Sequence, residues 1–272
     1  MIVTPVILKT HNSRLNTERS VFMLAVRRWY TPAILIALVS CTRGLEWIQD
    51  PPNAVAVTTS GSWASMIYLA RTDSGVIAID LGWTGAAAAL ERGTRRLGAE
   101  PSDVRFAFIT HAHRDHIGGW PNVRTARFVL GLAELPYFFG TAQYQGLVPS
   151  GAEWVSFTER PKSSDISVIG ISRDTAFALG SDTLWAFLVP GHTPGSTAYL
   201  FRGILFGGDA VNYRPFTGFQ GARPEMSDDP VQSRASMAAL WQRIDTSRVK
   251  IVCSAHAKCA RNNGELRRAL AK

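Results

Sequence analysis

The chain has no apolar run approaching the roughly 18 residues that a membrane-spanning helix requires, so no segment is expected to cross a bilayer as a stable helix. It has no internal repeat and no low-complexity tract, which speaks against a repeat array or a disordered polymer. Charged residues make up only 18% of the chain and form no dense basic run, although the sequence pI is about 9.8. Without such a run, nucleic acid is not an expected partner. Cysteine is scarce: after Cys41 only Cys253 and Cys259 remain. They would bridge in an oxidising compartment, or serve equally well as two small buried hydrophobes, and both readings stay open here. What the chain does have is 46% hydrophobic residues with glycine and proline spread throughout its 272 positions. That composition is globular, and the length suits one large domain or two small ones.

The N-terminal part reads as a targeting segment. Arg27 and Arg28 precede a short apolar run, Ala33 to Val39, that ends at Ser40 and Cys41. A basic patch, a short hydrophobic core and small residues before a processing point are the parts of a secretory signal peptide. Leu38-Val39-Ser40-Cys41 resembles a bacterial lipobox, whose cysteine is lipidated and becomes the first mature residue. Met23 fits such a signal better as the start than Met1. Residues 1–40 carry five basic residues against Glu18, half of the formal net charge of +8, so the remainder is only mildly basic. The expected organisation is an N-terminal extension and signal over 1–40, a tether over 41–54 containing Pro51 and Pro52, and a folded domain over 55–272. The expected location is exported, periplasmic or at the cell surface, with Cys41 anchored in a membrane.

Within the folded domain, Met66 to Ala70 and Gly75 to Asp80 read as strands of a hairpin turning at Thr72-Asp73-Ser74-Gly75. Thr84 is placed to N-cap a helix bearing Leu90 and Leu97, with Gly98 just past its end. Val104 to Thr110 is an apolar strand that runs directly into His111. Thr183 to Val189 is another, leading to Pro190-Gly191-His192. Ala198 to Phe206, broken at Arg202-Gly203, reads as a hairpin ending at Gly207-Gly208-Asp209. Ser227 or Asp228 is placed to cap a helix with Pro230 in its first turn, and Val249 to Cys253 is a last strand leading to His256. Four times an apolar strand ends and a metal-type residue follows, which is where a rigid scaffold presents its chemistry. The alternation and lengths suggest two mixed β-sheets covered by helices.

Thr110-His111-Ala112-His113-Arg114-Asp115-His116 concentrates three of the six histidines and an aspartate. A helix would spread these side chains around its circumference, whereas a loop after a strand can converge them. Imidazole and carboxylate suit borderline divalent metals such as zinc. Gly118 and Gly119 let the backbone turn closely beneath a crowded site.

His-x-His-x-Asp-His is the signature of the metallo-β-lactamase superfamily, and the chain resembles that family in the order of its other parts as well. Asp80 ends an Ile-Asp-Leu-Gly strand, His192 lies in Pro-Gly-His-Thr-Pro-Gly-Ser, Asp209 in Gly-Gly-Asp-Ala, and His256 after the last strand. The resemblance covers roughly residues 55 to 257. It implies an α/β fold, a four-layer αββα sandwich of two mixed β-sheets flanked by helices. It also implies two divalent metal ions, most simply zinc, with iron or manganese as alternatives. His111, His113 and His192 would hold the first, Asp115, His116 and His256 the second, and Asp209 would bridge them. Asp80 would support the site without being a ligand, and Cys253 is not expected to ligate. The implied chemistry is hydrolysis of a small-molecule substrate by a metal-bridging hydroxide, because metal binding lowers the pKa of water towards about 7. Asp115 would orient that nucleophile and carry its proton.

The true β-lactamases of the family generally lack an aspartate at the Asp209 step, whereas lactonases, glyoxalase II-like thioesterases and phosphoesterases carry one. The resemblance therefore leans towards an ester, lactone or thioester. A β-lactam ring is the alternative, and a phosphoesterase or a non-catalytic binding protein is more distant. Tyr213 is a candidate hydrogen-bond donor to a developing oxyanion, and a packing residue equally well. The segment from Pro224 to Ile244 resembles one that lactonase-like members carry, while Ser254-Ala255-His256-Ala257 departs from their Gly-His-Gly. Trp83, Trp120 and Phe216 are candidates for an apolar pocket wall or for core. Between Trp120 and Ser181 the pocket wall is not legible at residue level, and oligomeric state is not legible at all.

Overall fold

Alternation of side chains along each strand builds two core layers at once. In β4 (Gly75–Ile79), Val76 and Ala78 join one buried cluster while Ile77 and Ile79 join another. In β10 (Thr197–Phe201), Tyr199 and Phe201 share the cluster of Ile77, whereas Ala198 and Leu200 turn to a third. Period-two burial on both faces is what a sheet covered on both sides demands.

The computed structural model describes residues 45–48, 54–58, 65–144, 159–214, 216–257 and 259–271. The expected signal segment, residues 1–40, and Cys41 lie outside the described residues. The first sheet has seven strands in sequence order. These are β1 (Leu45–Trp47), β2 (Ala54–Thr58), β3 (Met66–Thr72), β4, β5 (Val104–Phe108), β6 (Arg127–Gly131) and β7 (Ser167–Ile171). Pairing is antiparallel from β1 to β4 and parallel from β4 to β7. The second sheet, of six strands, runs β15 (Cys259–Arg261), β14 (Ile251–Cys253), β11 (Ile204–Phe206), β10, β9 (Asp182–Leu188), β8 (Thr175–Leu179). Only its β11–β14 pair is parallel. A small ribbon pairs β12 (Val211–Arg214) with β13 (Gly218–Gly221).

Helix α1 (Ala87–Arg96) lays Ala89 and Leu90 on the outer face of the first sheet. Helices α4 (Pro230–Arg243) and α5 (Glu265–Leu270) lay Met237, Leu240, Leu266 and Leu270 on the outer face of the second. Between the sheets lie Phe108, Val129, Tyr199 and Phe206, among others. The order helix, sheet, sheet, helix is the four-layer αββα sandwich. Two one-turn helices, α2 (Arg114–Ile117) and α3 (Leu135–Phe138), sit in loops. Among the described residues no helix is long and apolar enough to cross a membrane.

Local chemistry explains most boundaries. The β10–β11 hairpin turns on Arg202 and Gly203, both at positive φ (48° and 80°), as a two-residue turn matched to strand twist requires. Helix α1 starts three residues after the expected cap Thr84, because Gly85 sits at φ +88°, outside the helical region. Gly98, at φ +66°, ends it as expected. Helix α4 is capped by Asp229, whose carboxylate accepts the Gln232 N–H at 2.8 Å. Neither Ser227, whose hydroxyl donates to the Arg223 carbonyl at 2.8 Å, nor Asp228 is the cap. The sheet also begins earlier than expected, since β1, which pairs with β2, lies inside the segment read as a tether. Cys253 and Cys259, directly opposite on β14 and β15, form a disulfide.

Candidate metal centre

Five strand ends deliver the site. Asp80 follows β4, His111 follows β5, His192 follows β9, Asp209 follows β11, and His256 follows β14. The two sheets are tied together at this edge. The Met66 N–H donates to the Ala255 carbonyl (2.8 Å), the Tyr68 hydroxyl to the Ser254 carbonyl (2.7 Å), and the Thr197 N–H to the Thr110 carbonyl (2.8 Å). The His111-to-His116 motif is not wholly a loop. After His113 the chain winds into α2, which carries Asp115 and His116. Close packing beneath it demands glycine: a Cβ on Gly118 would lie 2.2 Å from the Thr84 nitrogen, and one on Gly119 2.3 Å from the Leu81 carbonyl oxygen.

The expected ligands fall into two groups that meet at one carboxylate. In the first, His111 Nε2 lies 2.8 Å from His113 Nδ1, and His192 Nε2 lies 3.2 and 3.3 Å from those two atoms. Asp209 Oδ2 is 3.6 Å from His192 Nε2. In the second, His256 Nε2 is 3.2 Å from Asp115 Oδ2, and His116 Nε2 is 3.5 Å from the same oxygen. Asp209 Oδ1 stands 3.2 Å from His256 Nε2 and 3.5 Å from His116 Nε2. Asp209 therefore turns one oxygen to each group.

A second layer sets which nitrogen His116 and His111 present. Asp80 Oδ1 accepts the Thr110 N–H, and Oδ2 accepts both the Thr110 hydroxyl and His116 Nδ1–H, each at 2.8 Å. His116 Nε2 is thereby turned towards the site. With its proton on Asp80, the Thr110 hydroxyl oxygen is free to accept His111 Nδ1–H at 3.1 Å, baring His111 Nε2. Such outer partners fix ligand tautomer and direction. Asp80 holds this position at φ +55°, an uncommon conformation for a non-glycine residue, as befits a supporting residue at a strand end.

Electrostatics divides the groups. Burial, then the neighbouring histidines, holds His111 and His113 well below the ordinary imidazole range. Burial likewise brings His192 down to about 4. His116 and His256 feel the same burial, but carboxylates overcome it. Asp115, Asp80 and Asp209 raise His116, and Asp209 with Asp115 pushes His256 up to about 10. Burial alone would raise Asp115 and Asp209; the cationic His116 and His256 beside them hold both low instead. Nitrogens of three uncharged imidazoles thus face one another within 3.3 Å in the first group. In the second, His116 Nε2 and Asp209 Oδ1 are buried without a hydrogen-bond partner. A divalent cation relieves both conditions, and an all-nitrogen-and-oxygen donor set suits it.

The surroundings of the other expected residues are as follows. Tyr213, on β12, packs edge-on against Phe219 with ring centroids 5.1 Å apart and belongs to neither metal group. Cys253 is in the disulfide. Trp120 is fully buried in the core beneath α1, its indole N–H on the Glu159 carbonyl, so it is not a pocket wall. Phe216 is fully exposed, and Trp83 lies under the Arg114 guanidinium. Residues not anticipated from the sequence are Glu134, Tyr144 and Arg160, which surround Ala112 from the stretch that was illegible. A lone acid in the apolar run Leu132-Ala133-Glu134-Leu135 was the available signal.

Strand ends converging on clustered histidines and carboxylates in an αββα sandwich define a class, the metal-binding hydrolase fold. Residues 61–256 match the sequence profile of the metallo-beta-lactamase superfamily, and the chain belongs to that family. It is 27% identical over 159 residues to the N-acyl homoserine lactonase AttM of Agrobacterium fabrum, covering 57% of this chain and 54% of that one. It is 32% identical over 163 residues to a hydroxyacylglutathione hydrolase of Xanthomonas campestris pv. campestris, covering 59% and 51%. The chain thus spans about half the length of these two curated relatives. A solved metallo-beta-lactamase from Pontibacter korlensis superposes with a TM-score of 0.62 at 19% identity, over 84% of this chain and 99% of that one, a likeness of fold.

Proposed function

We propose that the protein is a binuclear metal-dependent hydrolase that opens an ester, lactone or thioester of a small molecule. The observation that carries the reading is Asp209, with one oxygen on each ligand group. His111, His113 and His192 would hold one ion, Asp115, His116 and His256 the other, and zinc is the simplest occupant of such a set. A bound pair of dications supplies an acidified water and polarises the carbonyl to be attacked. The remaining work falls to the chain. Asp115, whose Oδ2 lies 3.2 Å from His256 Nε2, would orient the attacking water and take its proton. Asp80 and Thr110 hold Nδ1 of His116 and of His111, so that Nε2 of each is turned to the ligand groups. The relatives named lactonase and hydroxyacylglutathione hydrolase support the carbonyl-ester class.

The test is metal content together with a panel of a lactone, a thioester, a phosphodiester and a chromogenic β-lactam, each with and without chelator. Two ions per chain and chelator-sensitive turnover of a lactone or thioester is the expected result. Turnover of the β-lactam alone, or of the phosphodiester alone, would overturn the substrate class, and one ion with full activity would overturn the binuclear site. Export with a lipid anchor at Cys41 belongs to the same proposal and rests on the Leu-Val-Ser-Cys pattern. Cys41→Ser should release the protein from the membrane fraction, and unchanged retention would refute the anchor.

A further inference from the structure

We propose that Glu134 is a positioning residue for the first metal group, a single buried carboxylate that locks the His111–His113 loop to the His192 loop. It ends the turn Leu132–Glu134 just after β6, and its side chain is fully buried. Oε2 accepts the Ala112 N–H at 2.8 Å and the Tyr144 hydroxyl at 2.5 Å. Oε1 accepts the Gly195 N–H at 2.7 Å, and the Thr193 side chain adds a further hydrogen bond. Ala112 is the residue between His111 and His113, while Thr193 and Gly195 follow His192. One carboxylate thus takes hydrogen bonds from both of the loops that supply the three histidines.

Two further contacts complete the arrangement. The Ala112 peptide is held at its other end as well, since Arg160 Nη1 donates to its carbonyl at 2.8 Å. The Tyr144 ring, directed by its bond to Glu134, meets the His113 ring edge-on with centroids 4.6 Å apart. The backbones approach too closely for side chains at the seam. A Cβ on Gly131 would lie 2.1 Å from the Gly195 carbonyl oxygen, and one on Gly195 2.7 Å from the Glu134 nitrogen.

Burying a carboxylate is costly unless every lone pair is used, and an apolar side chain would fill this space without that cost. A leucine, however, has no acceptor for the Ala112 and Gly195 amides, and it could not set the spacing of His111, His113 and His192. Those atoms stand within 3.3 Å of one another, and the two loops are joined beside them by the Thr197 N–H on the Thr110 carbonyl and, through one side chain, by Glu134. Glu134 therefore fixes the approach of the loops at Ala112 and Gly195, on the side away from the Thr110–Thr197 bond.

This inference rests on the metal reading of the site, and its test separates the two. Glu134→Gln keeps the shape but has one acceptor oxygen, so one of the two amides must face an NH2 group. In a His116→Ala background, which leaves only the first group intact, Glu134→Gln should weaken cobalt(II) binding about 10- to 100-fold, the usual range for outer-shell partners. The three-histidine visible spectrum of cobalt should shift with it. In a His113→Ala background, which leaves the second group, cobalt affinity should change less than about threefold. Amide exchange of Ala112 and Gly195 in the metal-free chain should accelerate. Unchanged first-group affinity with unchanged exchange, or equal losses in both backgrounds, overturns the proposal. Should Glu134→Gln fail to fold, Tyr144→Phe removes one hydrogen bond and keeps the ring; an unaltered cobalt affinity there also overturns it. If the unaltered chain binds no cobalt, the metal reading fails, and amide exchange alone decides the role of Glu134.

Discussion

The two ligand groups sit side by side and are built on opposite plans. The first is sealed: His111 and His192 are 1% exposed and His113 7%, and burial keeps them uncharged. The second opens outward, with the His256 side chain 28% exposed and Asp115 14%. Its histidines are held as cations by the carboxylates that would share the metal. The first group presents neutral ligands already in place. The second stores ion pairs, from which a metal must displace protons before it binds. A metal should therefore occupy the first group more readily at neutral pH. Support differs too, as the first leans on loop-to-loop hydrogen bonds and the second on Asp80 and on the Cys253–Cys259 bridge around His256.

The largest expected effect comes from removing the residue the groups share. Asp209→Ala should lower kcat/KM on the responsive substrate by at least about 100-fold, or about 2.7 kcal/mol, and empty the second group while the first retains its ion. Full activity with both ions bound would dissolve the distinction.

Next is the covalent bridge. The Cys253→Ala/Cys259→Ala pair opens a short loop, of sequence separation 6, whose closure is worth about 2 kcal/mol. Urea denaturation should show that loss, and metal titration should show it falling on the second group. Equal weakening of both groups would mean that the bridge supports the whole sheet rather than His256.

The groups should also carry opposite pH signatures in the metal-free chain. His192 titrates at about 4 when folded and near 6.5 when unfolded, and His111 and His113 are lowered likewise. The unfolded state therefore binds more protons between these values, and stability should fall as pH drops from 6.5 towards 4. His256 titrates at about 10 when folded, so its contribution is whole below 6.5 and is lost as pH rises to 10. Thermal melting in chelator should peak near neutrality. His256→Gln should shrink the alkaline limb and spare the acid one, and a single flat profile would contradict the division.

The smallest effect is expected outside both groups. Tyr213→Phe, which keeps the packing on Phe219, should change kcat by less than about twofold. A drop of about 100-fold, the cost of losing an oxyanion donor, would place Tyr213 in the reaction.

The sequence by itself determined what is local. Ligand types following apolar strands at His111, His192, Asp209 and His256, the Arg202-Gly203 hairpin turn and the Gly98 helix stop all follow from neighbouring residues and the backbone angles they permit. The alternation of Val76 and Ala78 against Ile77 and Ile79 is equally local, and two-sided burial follows from it. Only the tertiary structure decided what depends on distant partners. Gly85 displaced the start of α1 and Asp229 took the cap of α4. Trp120 went to the core, and the two cysteines met across β14 and β15. Glu134 is the clearest case, since its amide partners lie 22 and 61 residues away in sequence. A hydrogen bond between remote loops leaves no periodicity to read, because only the packing of two sheets brings its donor and acceptor within reach.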